Sequence, residues 1–228
     1  MNNGTGFMGG FYAISEWIMR FSVANLYWVL FNVPIGLLLL SLLYIEESAG
    51  SALYLTAPLV LLVPVLFFPA TTALFAQARE WVREEEYTGG CSRSYVGYYK
   101  ENYKTSFIGG IVFVIIWGVL IADIYYFSSH NEALMYLFMI MGILLFVWTV
   151  NYFSVAVHYE MTFFGGLKHA FLITIGSPLV FLAVALSCGV ILYISLYVFP
   201  LIIPLFTGSL VAFLSFSAFY RLHRKLAG

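Results

Sequence analysis

Charged residues fall in short clusters along the chain, and the runs between them are long and apolar. Phe21 to Ile45 is uncharged and closes on Glu46 and Glu47, and Ser48 to Ala78 is uncharged up to Arg79. Thr105 to Phe127 carries only Asp123, near its end, and Ala133 to Tyr159 carries no Asp, Glu, Lys or Arg. Each run matches the about 20 residues an α-helix needs to cross about 30 Å of hydrocarbon. A fifth run, His169 to Tyr220, is also free of formal charge. At about 1.5 Å per residue it is too long for one crossing, so it must fold back. Pro200 and Pro204 break helical hydrogen bonding and Gly208 relaxes the backbone, which places the reversal near residues 197–206. The pattern predicts an all-α, polytopic bundle of six helices, with five as the alternative.

Charge placement separates those two counts. With six helices and a cytoplasmic N terminus, Arg20, Arg79, Arg83, Arg93, Lys100, Lys104, Lys168, Arg221, Arg224 and Lys225 all face one side. Those are all the Lys and Arg residues, and Glu46, Glu47, Glu132 and Asp123 fall on the other side, as the positive-inside rule requires. Five helices would send the C-terminal basic cluster outward. Both termini are therefore expected in the cytoplasm, with the protein in the bacterial cytoplasmic membrane.

Composition removes the soluble alternatives. Of 228 residues, 62% are apolar and only 9% charged, with a mean hydropathy of +0.94, too little polar material to cover a water-facing surface. The formal net charge of -1 and the lack of a dense basic block argue against a nucleic-acid partner. Cys91 sits in the most polar loop and Cys188 inside an apolar run, so the topology keeps them apart and predicts two free thiols.

Two segments outside the spans carry pattern. Phe7, Phe11, Ile14 and Ile18 recur at helical spacing, which predicts a short interfacial helix over residues 1–20; the Gly-rich start lacks a basic n-region and is expected to be retained. The loop 79–104 holds about half of the charged residues. Helix two should run out of the bilayer through Gln77–Glu86, and Ser92 or Ser94 can cap a second short helix with Tyr95, Tyr98, Tyr99 and Tyr103 on one stripe. A Tyr stripe between spans ordinarily anchors at the interface. As the site where a partner would dock, the loop offers Arg79, Trp81, Arg83, Tyr95, Tyr99, Lys100 and Lys104.

Within the spans the polar residues are uncharged. Asn25 and Asn32 share a face of helix one, Thr71 and Thr72 follow Pro69 in helix two, and Asn151 and His158 share a face of helix four. Such groups ordinarily bond across helices, and Pro69 with the two Thr hydroxyls is the best place for a small cavity lined by freed carbonyls. No metalloprotease, P-loop or nucleophile-elbow signature is present, so no enzyme activity, cofactor or metal is expected.

The segments NLYWVLFNVPIG (25–36), FFPATTALFAQAREWVREEE (67–86), YVGYYKENYKTSFIGG (95–110) and GLKHAFLITIGSPLVF (166–181) resemble ordered landmarks of the YesL-like family of small bacterial integral membrane proteins. The loop departs from that pattern, with TGGCSRS and a Tyr-heavy helix where the family is richer in Phe. The resemblance implies no established reaction. It implies an accessory role beside bacterial carbohydrate uptake or utilisation, with a carbohydrate ABC importer or another transport component as partner. A small-solute transporter or channel acting as an oligomer is the alternative.

Overall fold

The computed structural model describes residues 7–44, 49–84 and 94–227, and those residues are helical nearly throughout. The elements are α1 (Phe7–Leu43), α2 (Ala49–Leu62), α3 (Phe68–Glu84), α4 (Tyr95–Ser128), α5 (Glu132–His158), α6 (Phe163–Gly176), α7 (Pro178–Tyr193) and α8 (Gly208–Ala227). Wider π-helical turns lie at Val63–Phe67, Ile194–Val198 and Ile203–Thr207. Among the described residues, six stretches are long and apolar enough to cross a membrane: Gly9–Leu43, Tyr54–Arg83, Tyr95–Ser128, Glu132–His158, Pro178–Val198 and Ile203–Lys225.

The six-helix reading holds, and the reversal is where the prolines put it. Phe199 donates back to the Ile194 carbonyl at 2.8 Å, and Ile203 donates to the Pro200 carbonyl at 3.0 Å, which turns the chain between α7 and α8. The five-helix alternative fails because residues 169–220 do contain this hairpin.

Three boundaries differ from the sequence reading. The expected short interfacial helix of residues 1–20 is, over its described part, the opening of α1, which continues unbroken to Leu43; neither Gly nor Pro separates Phe11 from Ala24. The short Tyr helix of the 79–104 loop is likewise the start of α4, 34 residues in one piece. Ser94 caps it by accepting from Gly97 N–H, and Lys100, Glu101 and Lys104 interrupt the hydropathy without supplying a helix stop. The fifth span, conversely, is broken. Thr162 caps α6, and Ser177 leaves helical geometry at φ -125° and ψ 88° because the following Pro178 disfavours it, so α6 is a separate short apolar helix.

The span formed by α2, its π-turn and α3 is the centre of the bundle: its most apolar part is 56% buried, against 11% for α1. Ala70, Ala73, Ala76 and Ala78 of α3 are fully buried where α1, α4, α5 and α8 close on it. Small residues allow that approach in a medium that gives helices no hydrophobic drive toward one another. Gly109 and Gly110 do the same for α4. A Cβ on Gly110 would sit 2.6 Å from Pro64 Cα, and one on Gly109 would collide with the Tyr152 ring. Outside this core the helices present a broad apolar surface, including Leu26, Leu30, Leu37, Leu40, Ile115 and Leu186, suited to lipid. Cys188 is buried and free, beside Ser215; Cys91 lies outside the described residues.

Candidate functional site

The residues read as a docking set divide by exposure. Arg83, Lys100 and Lys104 are exposed. Trp81 is buried against Phe21 and Trp17, with ring centroids 5.1 and 6.4 Å away, so it ties the end of α3 to the start of α1. Arg79 donates to the carbonyl of Val157 at the end of α5 and pairs with Glu80 at 3.3 Å. Tyr95 is buried, stacks on Tyr27 at 5.4 Å, and donates to the Ala70 carbonyl at 2.7 Å. Tyr99 stacks on Phe31 at 4.4 Å and donates to the Val65 carbonyl at 3.4 Å. That last acceptor has a cause: Pro69 has no N–H to return to the carbonyl four residues back. The Tyr stripe thus packs against the middle of α1 and the central span, where interfacial anchoring was the ordinary expectation.

The intramembrane polar residues do not form one cluster. Asn25 is buried in the hairpin between α7 and α8, donating to the Ile203 carbonyl at 2.9 Å and accepting from Ser209 N–H at 3.1 Å. Asn32 donates to the Trp28 carbonyl at 2.7 Å, and Thr71 accepts from Trp28 Nε1 at 3.1 Å. Thr72 donates to the Phe68 carbonyl and receives the Ser106 hydroxyl at 2.8 Å, joining α3 to α4. Asn151 donates to Thr174 of α6 at 2.9 Å. Sequence reasoning missed the Ser195–Thr207 hydroxyl pair at 2.7 Å, which locks two π-turns together across the reversal. Its signal was a lone polar residue on either side of two prolines.

His158 stands apart, ringed by Tyr159, Phe216, Phe219, Tyr220 and His223 at 4.5 to 6.0 Å. Burial pushes the Tyr159 hydroxyl up from its ordinary range, so it stays protonated and can donate to His223 Nδ1, 2.7 Å away. His169 joins this inner cluster through Tyr159, at 5.0 Å. Among the described residues, no group of three or more His, Cys, Asp or Glu side chains is arranged to hold a metal ion.

A wide concavity lies elsewhere. A cavity of about 540 Å³, open on one side, lies between α1, the central span, α4, α5, α7 and α8, with Trp28, Phe67, Trp117, Phe146, Phe153 and Val211 on its walls. Its few polar wall groups are already engaged: Trp28 with Thr71, Trp117 Nε1 with Thr149 at 3.3 Å, and Thr207 with Ser195. Of the place expected beside Pro69, only Thr71 is on the wall of this cavity; Pro69 and Thr72 do not line it, and the wall is apolar. The carbonyl freed by Pro69 is met by Tyr99 rather than by a Thr hydroxyl, so it adds no polar lining.

Residues 21–124 match a family described as a protein of unknown function, DUF624. The chain is 26% identical to the uncharacterised protein YteU of Bacillus subtilis over 212 residues, covering 91% of this chain and 82% of that one. It is 25% identical to the uncharacterised protein YesL of the same organism over 219 residues, covering 92% and 89%. No solved structure matches it.

Proposed function

We propose that this chain, a YesL-like multi-pass membrane protein, is a non-enzymatic accessory factor of bacterial carbohydrate uptake, docking to a membrane transport component such as a carbohydrate ABC importer. The observation that carries this reading is that intramembrane polar side chains bond to neighbouring helices, although the buried Asn32 Oδ1, Asn151 Oδ1 and Ser154 Oγ have no hydrogen-bond partner. Asn25 clamps the α7–α8 hairpin, Thr72 and Ser106 join two helices, and Asn151 bonds Thr174, so these groups serve packing rather than a solute path. A hydrophilic solute needs a continuous row of free donors and acceptors, which is why the transporter alternative is the weaker of the two. The carbohydrate context comes from the family resemblance. Docking is assigned to the exposed Arg83, Lys100 and Lys104, since Trp81 and Tyr95 are spent inside the fold. The positive-inside rule supports a cytoplasmic position for this face and for both termini.

Copurification tests the proposal. Tagged full-length protein solubilised in mild detergent should bring down a sugar importer or another transport component. Arg83→Glu with Lys100→Glu and Lys104→Glu should lose that partner while remaining in the membrane. Recovery of the protein without any transport component refutes the accessory role.

A further inference from the structure

We propose that the 540 Å³ cavity is a binding site for one hydrocarbon chain of a bilayer phospholipid, held in the heart of the helix bundle. This stands independently of the accessory role. The volume lies within the roughly 300–1,000 Å³ of ordinary small-molecule sites, and it is several times the about 150 Å³ apolar cavity that stays dry and accepts benzene. Water is a poor occupant, because it needs two to four polar partners and the indole and hydroxyl groups of the wall are paired with each other. An empty space of this size would deprive the lining of its dispersion contacts.

The surroundings identify the chain that fills it. Val60, Ile121 and Leu192 on the cavity rim are themselves exposed, and they continue the apolar surface suited to lipid. A chain at the rim therefore leaves one hydrocarbon phase for another, with no polar barrier to cross. Two π-helical turns form part of the wall, through Val63 and Phe67 in one and Thr207 in the other, and Leu192 lines the space just before the third. Such turns widen a helix locally and recur at functional positions. Gly118 also lines the cavity, and a Cβ built there meets nothing within 4 Å.

Full-length protein in vesicles of palmitoyl-oleoyl phosphatidylglycerol, doped with the same lipid bearing a diazirine midway along one chain, is irradiated and the adducts are mapped by peptide mass spectrometry. Adducts are expected on the cavity faces of α4, α5 and α8 as well as on the outer surface. Gly118→Leu should reduce the wall adducts roughly fivefold or more, because the new side chain takes the room of about four methylene groups. Outer-surface adducts should not change, and Gly189→Leu, whose Cβ also meets nothing and which does not line the cavity, should label as wild type. Val211→Phe from the α8 wall gives the same reading if Gly118→Leu does not fold. Wall residues left unlabelled in the wild type, or labelled equally in both filled variants, overturn the proposal. Displacement of the wall adducts by a polyprenol but not by excess unlabelled phospholipid overturns the assignment to a phospholipid chain.

Discussion

The Tyr99 hydroxyl donates to the carbonyl of Val65, the carbonyl that Pro69 leaves without its α-helical donor. One turn earlier, Tyr95 donates to the Ala70 carbonyl in the same wall of the central span. The two tyrosines, four residues apart on α4, thus stabilise a proline-bearing segment of another helix. Exposed backbone groups are costly in hydrocarbon, and the start of α4 offsets that cost.

Tyr95→Phe should destabilise the protein by about 1 kcal/mol, the ordinary net worth of a hydrogen bond, with the Ala70 carbonyl keeping its place in the α3 ladder. Tyr99→Phe should cost less, because its bond is 3.4 Å long and the residue is only half-buried. Thermal unfolding in detergent micelles, followed by Trp fluorescence, orders the two variants. Melting temperatures equal to wild type in both variants would show that the hydroxyls do not support the central span.

How legible this was in the sequence depends on the range of the interaction. The spans could be read because absence of charge over 20 or more residues is a local property, and the α7–α8 reversal because Pro200 and Pro204 act on their own backbone. Helix ends were read less well. Charge at Lys100, Glu101 and Lys104 marks where water begins, whereas a helix stops only at a cap or breaker, and none lies between Ser94 and Ser128. At Ser177 the breaker is Pro178, a residue whose effect on the fifth run is readable in sequence although hydropathy treats that run as uniform. The face holding Asn25 was visible, but its partners, Ile203 and Ser209, are about 180 residues away. The cavity has no signature in sequence, since it is the space six helices leave between them.

Asn25 gives the second test. Asn25→Leu removes a donor to Ile203 and an acceptor for Ser209, leaving both backbone groups without that partner in a π-turn region, and should cost about 1–3 kcal/mol. Asn25→Asp keeps the acceptor and, at a pH where the acid is neutral, has an O–H that can replace the amide donor, so it should lie nearer to wild type than Leu does. Proteolysis near residues 199–203 is the direct measurement. Loss of stability without increased cleavage there would place the effect elsewhere than the hairpin.

Helix contact gives the third. Gly110→Ala forces a methyl group to within 2.6 Å of Pro64 Cα, a backbone atom that cannot rotate away, so α4 must move off the central span. A loss of about 1–3 kcal/mol is the usual scale for overpacking, and it should appear as a lower melting temperature and poorer yield in detergent. Gly36→Ala and Gly189→Ala meet nothing within 4 Å and should be neutral or slightly stabilising through helix propensity. Equal behaviour of all three would show that α4 does not approach Pro64 so closely.

The orientation of the bundle is tested by charge-independent chemistry. In a Cys91→Ser, Cys188→Ser background, single Cys residues at Ser48 and Asn131 should react from outside the cell with an impermeant thiol reagent. Those at Thr88, Gly165 and Gly228 should react only after permeabilisation. Asn131 is exposed at the cap of α5, and Gly165 lies in the first turn of α6, at the other end of α5, so these two read opposite ends of one span. Protection of Asn131 together with labelling of Gly165 from outside would invert the bundle and set its Lys and Arg residues against the positive-inside expectation. With six spans, Gly228 must follow Gly165, because α6 with α7 and then α8 return the chain to the side from which α6 began. Labelling of Gly228 on the side of Asn131 would mean that the α7–α8 hairpin does not form in the membrane.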